Sequence, residues 1–252
     1  MTRAGGVGRS IGSEHRHLLV IGGQRCGTTW LHEVLASHPE VRPPVSLRPE
    51  PKFFLDDDDH DRYDALFPSA GGRFLLDKST TYLERGDAAR RALACVPESS
   101  VIAVVRDPVA RAYSNWRFSV VNGLENLSFA ESLADRAQLR EWNGLSTSPY
   151  QSLRRGRYAE LLRPWSEAFG SQLVVLQYER MTAADGGGYV AERLAGLGIE
   201  SPEGWPLVPP PANAAPHDRA IAVEEHTALR TYYAEVNAPL TAYGVDLGLW
   251  TS

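Results

Sequence analysis

The chain has 252 residues, of which 43% are hydrophobic and 23% charged, a balance typical of a globular protein with one substantial core. Its formal net charge of -5 argues against a protein that coats nucleic acid or an anionic membrane, so any anion site must be local. Two cysteines are too few for a disulfide framework or an all-cysteine zinc site, and we expect both as reduced thiols.

Residues 1–16 are rich in glycine, serine and arginine, which predicts a disordered tail before a single domain over residues 17–252. The tail has no apolar segment like that of a secretory signal. No apolar run in the chain approaches the ~20 residues that a membrane span needs. The expected location is therefore the cytoplasm.

A unit of strand, turn and helix then recurs along the chain. An apolar run over residues 17–23 ends in glycines and precedes a helical pattern that Pro39 stops. Further strands are predicted to end near Lys78 and at Val105, and a fourth covers residues 172–181, with helical patterns between them. This alternation predicts an α/β fold with a doubly wound, mostly parallel sheet flanked by helices. Ligands of such sheets bind beyond the carboxyl ends of the strands.

Two proline-rich stretches interrupt the pattern, at residues 42–63 and 206–220. Prolines interrupt regular structure, so we predict irregular loops in both, the first held to the core by Phe53 and Phe54. Long ordered loops of this kind are often functional.

The first turn, "VIGGQRCGTTW", is similar to a phosphate-binding loop without its lysine. Gly22 and Gly27 have the spacing of that loop, but Thr28 stands where an ATP-binding loop has lysine, and Arg25 lies inside it. Glycines let backbone amides approach an anion, the next helix presents its positive N-terminus, and Thr28 and Thr29 add hydroxyl donors. We therefore expect residues 22–27, called the phosphate loop below, to bind a phosphate beside the Arg25 guanidinium.

A second anion-binding pattern, "RDPVARAYSNW", follows the third predicted strand. Arg106 stands at the strand tip and Ser114 lies two helical turns later, so both could bind one phosphate. Asp107 is expected to cap the helix that begins at Pro108. It is not the magnesium ligand that ends such a strand in an ATPase, so we expect no metal. The motif indicates a second anionic group on the same ligand.

The two motifs together resemble those of sulfotransferases that use 3'-phosphoadenosine 5'-phosphosulfate (PAPS). "GGQRCGTTWL" looks like the family's 5'-phosphosulfate loop and "VVRDPVARAYSNW" like its 3'-phosphate motif, and the likeness extends to "EPKFF", "DKSTTYL" and "GRYAELL". The likeness is strongest to the bacterial small-molecule branch and to the sulfotransferase domain of heparan sulfate N-deacetylase/N-sulfotransferases. It implies a P-loop-like fold, PAPS as the donor and 3'-phosphoadenosine 5'-phosphate (PAP) as the product.

The resemblance also implies a set of nucleotide-binding residues. Arg106 and Ser114 would bind the 3'-phosphate, Arg157 and Tyr158 would lie near the nucleotide, and Arg219 is a further candidate. The residues assigned to the 5'-phosphosulfate are Gly23, Gln24, Arg25, Cys26, Gly27, Thr28, Thr29 and Trp30. Arg25 replaces the family's lysine, so it keeps the charge but is not a proton donor, and we expect it to stabilise the leaving phosphate electrostatically.

Glu50 matches the family's catalytic base by position. A carboxylate on a loop near the donor can take a proton from an acceptor hydroxyl or amine, whereas the alternative is a glutamate that is merely solvated. Lys78, at a strand tip, is expected to contact the sulfonate or the acceptor. Phe118 stands where the heparan enzymes have a histidine, so we expect a small-molecule acceptor, such as a natural product, instead of a polysaccharide.

The residues leave two other functions open. A small-molecule kinase of the P-loop fold would need a lysine after Gly27 and an acidic partner for magnesium, and the sequence shows neither. A catalytically silent nucleotide-binding module would need no base, and the candidate base Glu50 argues against it.

Overall fold

The computed structural model describes residues 15–45, 50–67, 72–134, 137, 140, 148–205 and 223–250. Its sheet has five strands, in the order β2-β3-β1-β4-β5. Their bounds are β1 Arg16–Val20, β2 Val41–Arg42, β3 Phe74–Lys78, β4 Ser100–Val105 and β5 Leu173–Gln177. All four pairings between these strands are parallel. The predicted doubly wound α/β sheet flanked by helices is thereby confirmed.

Helices occupy most of the connections between the strands. They are α1 Thr28–Ala36, α2 His60–Asp64, α3 Gly86–Cys95, α4 Pro108–Val121, α5 Phe129–Leu133, α6 Ser152–Arg155, α7 Tyr158–Phe169, α8 Tyr178–Met181, α9 Gly186–Ala195 and α10 Val223–Asn237. Short 3₁₀ turns cover Phe53–Leu55, Thr80–Glu84, Gly170–Gln172, Ala238–Tyr243 and Leu247–Trp250. In the described part of the chain, no helix combines the length and apolar character that crossing a membrane requires.

The centre of the sheet brings the two predicted anion-binding motifs together. The chain leaves β1 towards β2, returns through β3 and crosses to β4 on the other side of β1, so its winding reverses between β1 and β4. A reversal of this kind opens a crevice at the carboxyl ends of the strands. The phosphate loop follows β1 and Arg106 follows β4, and the Gly23 amide donates to the Val104 carbonyl at 3.0 Å.

The two central strands are apolar on both faces. Residues 18–21 and 101–105 have no exposed surface, as expected for parallel strands covered by helices on each side. Helix α7 packs on β4 and β5 and against α3, and its Trp165 is fully buried. These contacts enclose the centre of the sheet within the core.

The first proline-rich stretch is more regular than predicted. It includes the last residue of β2, the 3₁₀ turn at Phe53–Leu55 and all but the last residue of helix α2. Asp59 caps α2 by accepting the Arg62 amide at 3.0 Å, so one of the four aspartates at 56–59 has a local structural role. The expectation of an irregular segment is therefore wrong in part, because a side-chain cap and packing stabilise elements too short to show a hydrophobic period.

Two predicted boundaries differ from those of the structure. The fourth predicted strand ends at Gln177, since residues 178–181 form helix α8. A short apolar run does not distinguish a strand from a single helical turn. Strand β1 includes Arg16, the last residue of the predicted tail, whereas residues 1–14 lie outside the described residues. The single domain over residues 17–252 stays a prediction.

A substitution at Gly22 tests the close approach of the phosphate loop to β4. A Cβ atom at this position would lie 2.6 Å from the Val104 backbone nitrogen. Since that backbone has little freedom to move, we expect Gly22→Ala to lower the free energy of unfolding by about 1–3 kcal/mol. Gly188→Ala is the matched control, because a Cβ there meets nothing within 4 Å. That change should raise stability by roughly 0.5–1 kcal/mol. Equal denaturant midpoints for the two variants would contradict this account.

Candidate active site

The phosphate loop has the backbone of an anion-binding turn. Arg25 and Gly27 both adopt positive φ, at 68° and 87°. A Cβ on Gly27 would lie 3.0 Å from the Tyr178 ring, so glycine fits this position for two reasons. Helix α1 begins directly afterwards, and no side chain of the described residues caps its N-terminus. Its first amides and the positive end of its dipole therefore remain available to an anion.

Direct contacts join the two motifs. The Arg25 Nε donates to the Ser114 Oγ at 3.3 Å, and the Arg106 Nη1 donates to the Arg25 carbonyl at 3.1 Å. Each guanidinium also lies against an aromatic ring, Arg25 at 4.8 Å from the centroid of Phe118 and Arg106 at 4.5 Å from that of Tyr178. The structure thus brings Arg25, Arg106 and Ser114 into one cluster.

The cluster carries positive charge and has no counter-ion among the described residues. Burial lowers the pKa of Arg25, and the nearby charge of Arg106 lowers it further. Neither guanidinium pairs with a carboxylate of the described residues. Two partly buried cations side by side repel one another, so a bound polyanion would stabilise both. The residues present therefore fit a nucleotide with more than one anionic group.

The other residues predicted to bind the 5'-phosphosulfate differ in their solvent exposure. Thr28 is buried, Thr29 is exposed and Trp30 is half-buried against the main core. The Gln24 Oε1 accepts from Arg155 at 2.7 Å. Arg219 lies outside the described residues.

Tyr158 and Arg157 differ in their position relative to the loop. Tyr158 is completely buried, and its hydroxyl lies 3.7 Å from the Cys26 thiol. Its side chain therefore packs behind the phosphate loop and not at the loop's outer surface. Arg157 forms an ion pair with Glu160 at 2.9 Å. For Arg157 a contact with the nucleotide stays a prediction.

Glu50 and Lys78 form an ion pair at the carboxyl end of β3. The Glu50 carboxylate also accepts the Thr80 amide at 3.3 Å and the Thr80 hydroxyl at 3.1 Å. The side chains of Glu50 and Lys78 are 18% and 15% exposed, so the pair is enclosed but still reaches solvent. Lys78 lies beside Val20 in the sheet register, which places the pair next to the start of the phosphate loop. The structure thus brings the predicted base and the predicted lysine together.

Sequence reasoning missed three residues of this region. Tyr178 contacts the phosphate loop and Arg106. Its position at the end of β5 could have indicated this, but the predicted fourth strand extended to residue 181 and placed Tyr178 inside the strand. Arg155 reaches Gln24 from helix α6 and pairs with Glu84 at 3.1 Å. His32 is buried on α1, where burial and the charge of Lys78 lower its pKa while Glu50 opposes them. For Arg155 and His32 the sequence carried no local signal.

No three His, Cys, Asp or Glu side chains of the described residues form a group that could hold a metal ion.

The model of the sulfotransferase domain family matches residues 15–186. The chain belongs to the sulfotransferase family. The resemblance inferred from the two motifs is thereby confirmed.

Several sulfotransferases of known sequence are similar to this chain. Heparan sulfate glucosamine 3-O-sulfotransferase 3B1 of Mus musculus is 32% identical over 174 residues, which are 67% of this chain and 43% of that protein. Bifunctional heparan sulfate N-deacetylase/N-sulfotransferase 2 of Homo sapiens is 30% identical over 176 residues, 65% of this chain and 20% of that protein. The chain therefore spans less than half the length of these curated relatives.

A solved structure shares the fold. The sulfotransferase from Alicyclobacillus acidocaldarius superposes with a TM-score of 0.77 at 24% identity, over 94% of this chain and 99% of that chain. The P-loop-like α/β fold of sulfotransferases is therefore the fold of this chain.

The cysteine of the phosphate loop faces inward, which makes its reactivity a test of the loop's packing. Cys26 is fully buried, and burial raises the pKa of its thiol to about 11. Since the reactive thiolate becomes about tenfold scarcer per pKa unit, we expect Cys26 to react roughly a hundredfold more slowly in the folded than in the unfolded chain. Iodoacetamide labelling followed by peptide mass spectrometry measures this. Equal labelling rates in the two states would contradict the inward orientation.

Proposed function

We propose that this chain transfers the sulfuryl group of PAPS to a hydroxyl or amine of a small-molecule acceptor, such as a natural product, in the cytoplasm. The supporting observation is the pair of adjacent guanidiniums, Arg25 and Arg106, without a carboxylate partner among the described residues. A nucleotide with one anionic terminus would neutralise one of them. A nucleotide with anionic groups at both its 5' and 3' positions matches both.

Each cation has a distinct assignment in this proposal. The 5'-phosphosulfate would be held at the uncapped N-terminus of α1 with Arg25, and the 3'-phosphate by Arg106 and Ser114. When bound, PAPS supplies an activated sulfuryl group. Arg25 stabilises the charge that develops on the leaving phosphate, and it does so as a permanent cation and not as an acid.

Glu50 takes the proton from the acceptor in this proposal. Its carboxylate accepts the Thr80 amide and hydroxyl and pairs with the Lys78 ammonium. A general base must hold its lone pair towards the acceptor, and these three donors restrict the rotation of the carboxylate. Lys78 also brings positive charge to the side of the site where the acceptor would enter.

The acceptor side of the site has apolar character. The Phe118 ring lies against the Arg25 guanidinium, and Val121, three residues later on α4, is 80% exposed. An acceptor with an aromatic or aliphatic part would pack on such a surface, whereas a highly charged polysaccharide would gain little from it. This composition supports the small-molecule class of acceptor.

Nucleotide selectivity tests the assignment of the second cation. By calorimetry we expect PAP to bind about ten- to a hundredfold more tightly than AMP, as one charge-assisted phosphate contact predicts, and ATP to gain no such advantage. Ser114→Ala should weaken PAP binding more than AMP binding. Ser119→Ala on the same helix is the matched control, since its hydroxyl bonds only the Asn115 carbonyl at 2.8 Å among the described contacts. Equal affinities for PAP, AMP and ATP would overturn the proposal.

The role of Glu50 is tested by turnover. We expect Glu50→Gln to lower turnover by about a hundredfold or more, because general-base catalysis is lost, while PAP affinity stays within about twofold. The measurement is PAP release from PAPS with a panel of phenols, alcohols and amines. Glu33→Gln, at an exposed position of α1, is the control for a lost negative charge. Wild-type turnover in Glu50→Gln would reject Glu50 as the base.

A further inference from the structure

A buried carboxylate lies beneath the backbone that carries Glu50. Asp77 is fully buried at the carboxyl end of β3, directly before Lys78. Three hydroxyls donate to it, Ser79 and Tyr82 at 2.9 Å each and Tyr63 at 3.2 Å. Burial raises the pKa of Asp77 to about 6, and the three hydrogen bonds oppose this shift.

Two of these hydroxyls have a second partner. The Ser79 Oγ accepts the Lys52 amide at 2.9 Å, and the Tyr82 Oη accepts the Phe54 amide at 3.2 Å. Both amides belong to residues 50–54, called the Glu50 loop below. A hydroxyl that donates its proton to a carboxylate has its lone pairs free to accept from another donor. The Asp77 carboxylate therefore orients the Ser79 and Tyr82 hydroxyls so that they accept the Lys52 and Phe54 amides.

The Glu50 loop needs such anchors because its conformation is unfavourable. Lys52 has a φ of 51°, in the left-handed region that a lysine adopts only at an energetic cost. The Phe54 side chain is fully buried and packs on the Tyr63 ring at 4.6 Å. Arg91 donates to the Phe54 carbonyl at 3.1 Å, which holds the far end of the loop. The two backbone amides that donate hydrogen bonds to Ser79 and Tyr82 therefore lie between this end and Glu50.

We propose that Asp77 is a positioning residue for the catalytic base. Through Ser79 and Tyr82 it holds the backbone of the Glu50 loop, and this backbone keeps the Glu50 carboxylate at Lys78. Asp77 has no exposed surface, so its effect on catalysis is indirect. This inference rests on the proposed role of Glu50 as the base.

Three single-hydroxyl variants separate this role from a general contribution to the core. Ser79→Ala and Tyr82→Phe each remove a hydroxyl that bonds both Asp77 and an amide of the Glu50 loop. Tyr63→Phe is the matched control, because its hydroxyl bonds Asp77 but no amide of the Glu50 loop. Asp77→Asn tests the carboxylate itself, and the hydroxyl variants decide the question if that protein does not fold.

Amide hydrogen exchange of the full chain with saturating PAP gives the first readout. We expect the Lys52 amide in Ser79→Ala and the Phe54 amide in Tyr82→Phe to exchange about tenfold faster than in the wild type. Tyr63→Phe should leave both amides within about twofold of the wild type. Wild-type exchange at Lys52 and Phe54 in the first two variants would overturn the inference, as would an equal acceleration in Tyr63→Phe.

Turnover gives the second readout and separates the two proposals. With an acceptor of the panel that the wild-type protein sulfates, Ser79→Ala and Tyr82→Phe should lower kcat about tenfold and leave the KM for PAPS unchanged. If Glu50→Gln abolishes turnover while these two variants keep wild-type kcat, the positioning role is overturned and the base stands. If Glu50→Gln turns over like the wild type, the base assignment fails, and hydrogen exchange still reports whether Asp77 anchors the loop.

Discussion

The close approach of the phosphate loop to strand β4 is the constraint on which the site depends. Gly22 leaves no room for a side chain against the Val104 backbone, and the Gly23 amide bonds the Val104 carbonyl. Because β4 continues directly into Arg106, this contact sets the distance between the two cations. The buried packing of β1 and β4 stabilises the same contact, so the positions of the two cations depend on the core.

The arrangement of charges follows from that contact. Arg25 and Arg106 would repel one another. Among the described residues their side-chain partners are polar and aromatic and not carboxylates: Ser114, Phe118 and Tyr178. A carboxylate would neutralise the cations permanently and compete with an anionic nucleotide. Hydroxyl and ring contacts orient the guanidiniums and leave their charge available.

The negative groups of the site are arranged in the opposite way. Asp77 is buried and bonded only by hydroxyls among the described contacts, whereas Glu50 is paired with Lys78 and reaches solvent. Two carboxylates on neighbouring segments thus occupy different environments. In our proposals the exposed one exchanges a proton and the buried one holds the backbone.

The sequence by itself determined the fold class, the phosphate loop and the strand tip at Arg106, because glycine spacing and buried apolar runs are local signals. It did not determine which distant side chains meet there. Arg155 and Tyr178 reach the loop region from segments more than a hundred residues away, and the Lys78 partner of Glu50 depends on how a proline-rich loop folds over β3. Only the tertiary structure decided these contacts, since they depend on sheet order and packing, which no local pattern encodes.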